Sequence, residues 1–171
     1  MNNPFVPVPD SSVYDTVDSP IGTLLLTGDG DVLTGLYMLN PGDPLDPHVP
    51  ADATPGSFPV VEEQLAAYFA GELKEFTVPL APSGTAFQLA VWAELTRIPY
   101  GMTTSYGAIA RALGKRPVAA RAVGSANGAN PISVIVPCHR VIGADGGLTG
   151  YGGGLPRKLT LLQLEGSAGL W

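Results

Sequence analysis

The sequence is poorest in the side chains that crosslink or hold metals: 171 residues include one cysteine and two histidines. One cysteine cannot close an internal disulfide, which suits a reducing compartment and leads us to expect a cytoplasmic location. Three such side chains are also too few for a Cys/His zinc site, so no metal is expected. No apolar run approaches the roughly 18 residues a membrane helix needs, so no membrane association is expected. The opening stretch, MNNPFVPVPD, has prolines and no basic cluster, and no signal peptide is expected there. Charged residues are scarce at 14%, against 45% apolar, which describes a folded globular protein. Proline and glycine are plentiful, 17 and 22, and predict many loops.

Positive charge is nearly absent from the first half. Residues 1–82 carry one basic residue, Lys74, against 12 acidic ones, a formal charge of −11. Residues 83–171 carry eight basic and three acidic residues, +5. The net charge of −6 therefore argues against nucleic acid only as an average. Asymmetry of this kind points to a polyanion-binding half, although a plain difference in surface composition gives the same numbers.

The apolar pattern follows the same division. Residues 14–39 alternate apolar and polar positions around the turn signals SPIG and GDGD, and predict a β-hairpin or meander. Residues 40–59 form a Pro/Asp/Gly loop, in which His48 has no evident role. PVVEEQLAAYFAGEL, 59–73, predicts a helix with Val61, Leu65, Tyr68 and Phe69 on one face. FTVPL, 76–80, predicts one more strand. APSGT, 81–85, is the best boundary, giving domains at 1–82 and 83–171.

The second half reads as helical. Phe87, Val91, Leu95 and Ile98 have helical spacing, with Ser83 or Thr85 as cap. SYGAIARAL, 105–113, predicts a short helix capped by Ser105. After the GKRP turn, VAARAVGSANG, 118–128, predicts another. Two short helices across a turn have the pattern of a helix-turn-helix. AARAVGSANGAN has Arg121 as its one long side chain. Such a helix suits tight packing inside the domain or close approach to a nucleic-acid groove, with Lys115 and Arg116 at the turn to meet phosphates.

The lone cysteine lies in NPISVIVPCHRVIG, 130–143. ISVIV predicts a short buried strand that Pro137 stops, placing Cys138 at a sharp turn. A glycine-rich loop follows, and it offers backbone N–H groups at close range. LPRKLTLLQLEG, 155–166, then predicts an amphipathic helix with Glu165 near its end. Cysteine reacts as the thiolate, which needs a base, and His139 and Glu165 are candidates for base and orienting carboxylate. Adjacent residues of a strand face opposite ways, so Cys138 and His139 cooperate only across a bend, directly or through water. A buried cysteine beside a satisfied histidine is the alternative reading.

These stretches, with GLTGYGGG and LLQLEG, resemble the active-site region of the O6-alkylguanine-DNA alkyltransferases, the methylated-DNA–protein-cysteine methyltransferases. The likeness runs through the C-terminal half, from FQLAVW through IPYGMTTSYGAIA and ARAVGSANGANP. It reaches the N-terminal half mainly through DSPIG and LAAYFAGE. It implies a two-domain α/β (α+β) protein: a ribonuclease-H-like small sheet-plus-helix domain, then a winged-helix-like helix-turn-helix domain. It implies direct-reversal DNA repair, with Cys138 accepting the alkyl group irreversibly in a single turnover. His139 would take the thiol proton through a water, Glu165 would complete the relay, and Asn130 would tie the recognition helix to the active-site segment. Tyr106 would favour rotation of the target nucleotide and contact the base, and Arg121 would fill the gap it leaves. Tyr151 and Gly152 would line the loop over the alkylated base. Ser105, Lys115 and Arg116 would join the DNA contacts. The implied partner is double-stranded DNA carrying O6-alkylguanine, with O4-alkylthymine a further candidate, bound through the minor groove by a monomer that can cooperate along DNA. No cofactor and no zinc are implied, since the N-terminal ligands some relatives use are missing here.

Overall fold

Strand β2 sets the frame of the first half. In the computed structural model, which describes residues 3–45 and 47–167, β2 (Leu24–Gly28) is buried along its whole length. Its three consecutive leucines are what burial on both faces requires, in place of the alternation of a half-exposed strand. β1 (Val13–Val17) and β3 (Leu33–Met38) flank it in antiparallel register, with Tyr14 opposite Thr27 and Leu26 opposite Leu36. The meander read from the sequence is present, turning at the expected signals. A two-residue β4 (Thr54–Pro55) pairs parallel to β1 and completes the order β3-β2-β1-β4. It falls inside the 40–59 segment expected to be loop. In that segment His48 stacks on Tyr37, with ring centroids 4.1 Å apart.

Helix α1 (Pro59–Phe69) starts at a proline, whose fixed φ suits a first turn, and buries Val61, Leu65 and Tyr68. The strand expected at 76–80 does not form. Only an isolated bridge between Leu33 and Leu80 is made, because Pro79 supplies no N–H to continue a ladder. The contacts of the chain divide into two units. The first runs through Ser83 and adds Pro131–Ser133, where Leu36 N–H donates to Pro131 O and Ser133 N–H to Leu36 O.

The second unit holds Gly84–Asn130 and the chain from Val134 onward. Thr85 caps α2 (Ala86–Leu95) in a capping box: its hydroxyl accepts from Gln88 N–H while its own N–H donates to the Gln88 side chain. The β5 pair (Thr104–Ser105) leads into α3 (Tyr106–Ala112), and the Ser105 hydroxyl caps it by accepting from Ala108 N–H at 3.1 Å. A turn and one 3₁₀ turn, Pro117–Ala119, lead to α4 (Ala120–Gly128). The helix-turn-helix pair is thus α3–α4. Trp92 of α2 is buried, and its indole N–H donates to Ala126 O of α4 at 2.8 Å. β6 (Val141–Ile142) pairs parallel to β5, and α5 (Leu155–Leu164) follows the glycine-rich loop. Among the described residues no helix is long and apolar enough to cross a membrane.

Candidate active site

The segment expected to be a strand, Ile132–Val136, is instead a turn with one bridging residue, Ile132. Its apolar side chains are buried, which accounts for the misleading pattern. Val134 sits at φ 72°, a region a β-branched residue enters only at a cost of order 1–3 kcal/mol. Pro137 follows with φ −83° and ψ 65°, the geometry of an inverse γ-turn, and Cys138 N–H donates back to Val136 O at 2.8 Å. The chain then winds into a 3₁₀ turn, Cys138–Arg140. The bend that cooperation between Cys138 and His139 requires is therefore built by the proline and the turn before it.

Two asparagines of the α4 C-terminal region hold this turn. Asn130 donates to Val136 O at 2.8 Å and Asn127 donates to Cys138 O at 3.3 Å. Asn127 was missed in the sequence, although it falls one helical turn before Asn130.

Behind the thiol lies a buried charged cluster. His139 Nε2 is 2.8 Å from Glu165 Oε2. Arg140 grips the same carboxylate with Nε on Oε1 at 2.8 Å and Nη2 on Oε2 at 3.0 Å, and its Nη1 donates to Ile98 O. A carboxylate only accepts, so the His139 proton resides on Nε2 and its Nδ1 carries the lone pair. That Nδ1 is buried and has no hydrogen-bond partner among the described residues. Burial pushes the His139 pKa down, and Glu165 opposes this only in part. The imidazole is thus a neutral base with its acceptor nitrogen available.

Burial also pushes the Cys138 thiol up from its ordinary value. Hydrogen bonds from Asn130 and Tyr151, and the charge of Lys158, pull the other way. Lys158 is fully buried, and Nζ donates to Val141 O at 2.6 Å and to Thr149 O at 3.4 Å. Burial lowers its own pKa while Cys138 raises it. The sequence did carry a signal for this residue. Lys158, Leu161, Leu162 and Glu165 are spaced i, i+3, i+4, i+7, and all four are buried.

Of the other expected residues, Tyr106 opens α3 and its hydroxyl lies 2.6 Å from Thr149 Oγ1 in the glycine-rich loop. Ser105 caps α3. Lys115, Arg116 and Arg121 are exposed, in the α3–α4 connection and the first turn of α4. Gly152 is exposed in the loop, and a Cβ there would meet only Gly128 O at 3.9 Å, so a serine would fit. Gly154, at φ 90°, turns the loop into α5 in a conformation that favours glycine. Among the described residues no group of three His, Cys, Asp or Glu side chains is placed to hold a metal.

Comparison with known proteins decides the family. The methylated-DNA–protein-cysteine methyltransferase of Mycobacterium tuberculosis is 59% identical over 155 residues, covering 90% of this chain and 92% of its own length. The chain belongs to the 6-O-methylguanine DNA methyltransferase family. Residues 12–82 match its ribonuclease-like domain and residues 86–167 its DNA binding domain. The methyltransferase of Methanosarcina acetivorans is 51% identical over 156 residues, covering 90% of this chain and 98% of its own. The crystal structure of Mycobacterium tuberculosis O6-methylguanine methyltransferase matches with a TM-score of 0.81 at 58% identity, covering 91% of this chain and 93% of that one. Mycobacterium tuberculosis OGT in complex with DNA matches with a TM-score of 0.80 at 57% identity, covering 90% and 92%.

Proposed function

We propose that this chain reverses O6-alkylguanine damage in duplex DNA by moving the alkyl group onto Cys138, once per molecule. One observation carries the reading. The similar proteins are methyltransferases to a protein cysteine, and the one cysteine here sits on a proline-built turn beside a neutral histidine backed by a buried carboxylate.

The reactive atom of the base lies inside the stack, so the nucleotide is rotated out, at a cost of a few kcal/mol. Arg121, exposed at the start of α4, fills the gap, while Lys115 and Arg116 meet phosphates of the minor-groove rim. The small side chains of α4 let its backbone approach the groove. His139 Nδ1 then takes the Cys138 proton through a water. The sulfur attacks the alkyl carbon in line, the C–O bond breaks, and its electron pair leaves on the guanine oxygen. Tyr106 and backbone N–H groups of the loop, including that of Gly152, donate to that oxyanion. The product is a thioether, which water does not cleave readily, and no second cysteine is present to resolve it. Mixing the protein with O6-methylguanine duplex and assaying restored guanine tests the reading. Cys138→Ala is expected to bind the duplex and restore none. Restoration by that variant would overturn it.

A further inference from the structure

We propose that Thr149 is a positioning residue of the alkyl transfer, its hydroxyl holding that of Tyr106 as donor to the departing guanine. The inference rests on the function proposed above and assigns a role to a loop residue outside it.

The two hydroxyl oxygens are 2.6 Å apart, and both residues are partly buried. Thr149 is held at its carbonyl and at its methyl. Lys158 Nζ reaches its carbonyl at 3.4 Å from a fully buried position on α5. Its methyl lies against Gly143, where an added Cβ would come within 3.3 Å of it. A β-branched side chain has few rotamers, so a methyl fixed on one side fixes the hydroxyl on the other. The Tyr106 phenol is thus tied to a loop residue that is itself anchored to the helix carrying Lys158 and adjoining Glu165.

The direction of the bond decides its use. A hydroxyl has one proton to donate and two lone pairs. If Tyr106 donates to Thr149, its proton is spent. If Thr149 donates to the phenol oxygen, the Tyr106 proton is free for substrate, and a hydroxyl that accepts is a stronger donor in turn. A guanine oxygen gaining an electron pair draws the second arrangement. Thr149 gives up no proton. The Cys138–alkyl bond forms, the alkyl–oxygen bond breaks, and the proton released from the thiol to His139 balances the one guanine finally gains.

Single-turnover rates on O6-methylguanine duplex test this, with duplex affinity measured alongside. Thr149→Val keeps the shape and removes the hydroxyl, and is expected to slow transfer roughly 2- to 13-fold, the worth of one hydrogen bond, at unchanged affinity. Thr149→Ser restores the hydroxyl and is expected within about threefold of the parent. Adding Thr149→Val to Tyr106→Phe is expected to slow it no further, since the partner is already gone. A valine variant at the parent rate, a serine variant as slow as valine, or equal slowing by valine in the Tyr106→Phe background would each overturn the role. A parent protein that leaves Cys138 unmodified would instead remove the proposed function, and this inference with it.

Discussion

His139 and Glu165 form a fully buried pair, Nε2 to Oε2 at 2.8 Å, and Arg140 binds the same carboxylate through two nitrogens. One carboxylate therefore does two jobs. It fixes the tautomer of the base, and it neutralises a guanidinium that packs 7% exposed. Its removal has two separable consequences.

Glu165→Gln leaves Arg140 buried without a counter-charge. Breaking one side of such a pair costs about 3–5 kcal/mol, so chemical denaturation is expected to show a loss of that order. Transfer is expected to slow even at a temperature where the variant is folded, because an amide can present its N–H to His139 and reverse the tautomer. A stable variant with the parent rate would remove both roles.

The pH dependence follows from opposite displacements of Cys138 and His139. The folded His139 pKa lies below its ordinary 6.5, so the ring stays neutral and able to accept as pH falls to and below that value. The acid limb of the transfer rate is therefore expected with a midpoint below 6.5. The unfolded chain binds this proton more readily than the folded one. The stability it confers is present above 6.5 and is lost as pH falls through the depressed folded value. Cys138 is displaced upward from 9.0, so any gain in rate from direct thiolate formation begins only above that value. Stopped-flow transfer across pH checks both limbs, and an acid midpoint at or above 6.5 would contradict the neutral-base account.

Arg121 is exposed and outside the buried cluster. Its proposed work is confined to holding a duplex open, so Arg121→Ala is expected to lose at least about tenfold in rate on duplex substrate, the equivalent of 1.4 kcal/mol. Reaction with free O6-benzylguanine, which needs no flipping, is expected within twofold of the parent. Lys115→Ala and Arg116→Ala are expected to weaken binding across sequences and each reduce the salt slope by about one. Equal losses on both substrates for Arg121→Ala would contradict the gap-filling role.

Legibility in the sequence tracked the range of the interactions. Ser105 and Thr85 were readable as caps because a cap is a contact across three residues. The β1–β3 meander was readable because alternation and turn chemistry are local. ISVIV misled because burial, which the pattern reports, is shared by a strand and by the turn that Val134 makes at positive φ. FTVPL misled because a single proline interrupts the ladder its β-propensity favours. The partners of Glu165 lie 25 and 26 residues away: the chemistry of a thiolate base and the resemblance both pointed to His139, and nothing in the pattern pointed to Arg140. Lys158 was not singled out, although its place on the Leu161–Leu162 stripe marks it as buried. Thr149 carried no signal at all, since its partner Tyr106 is 43 residues distant.

Intact-protein mass after incubation with excess O6-methylguanine duplex tests the central claim most directly. The account predicts one methyl in place of one hydrogen on every chain, mapped to Cys138, with guanine restored in equal amount and no more. Guanine restored in excess over an unmodified protein, or a methyl on any other residue, would contradict it.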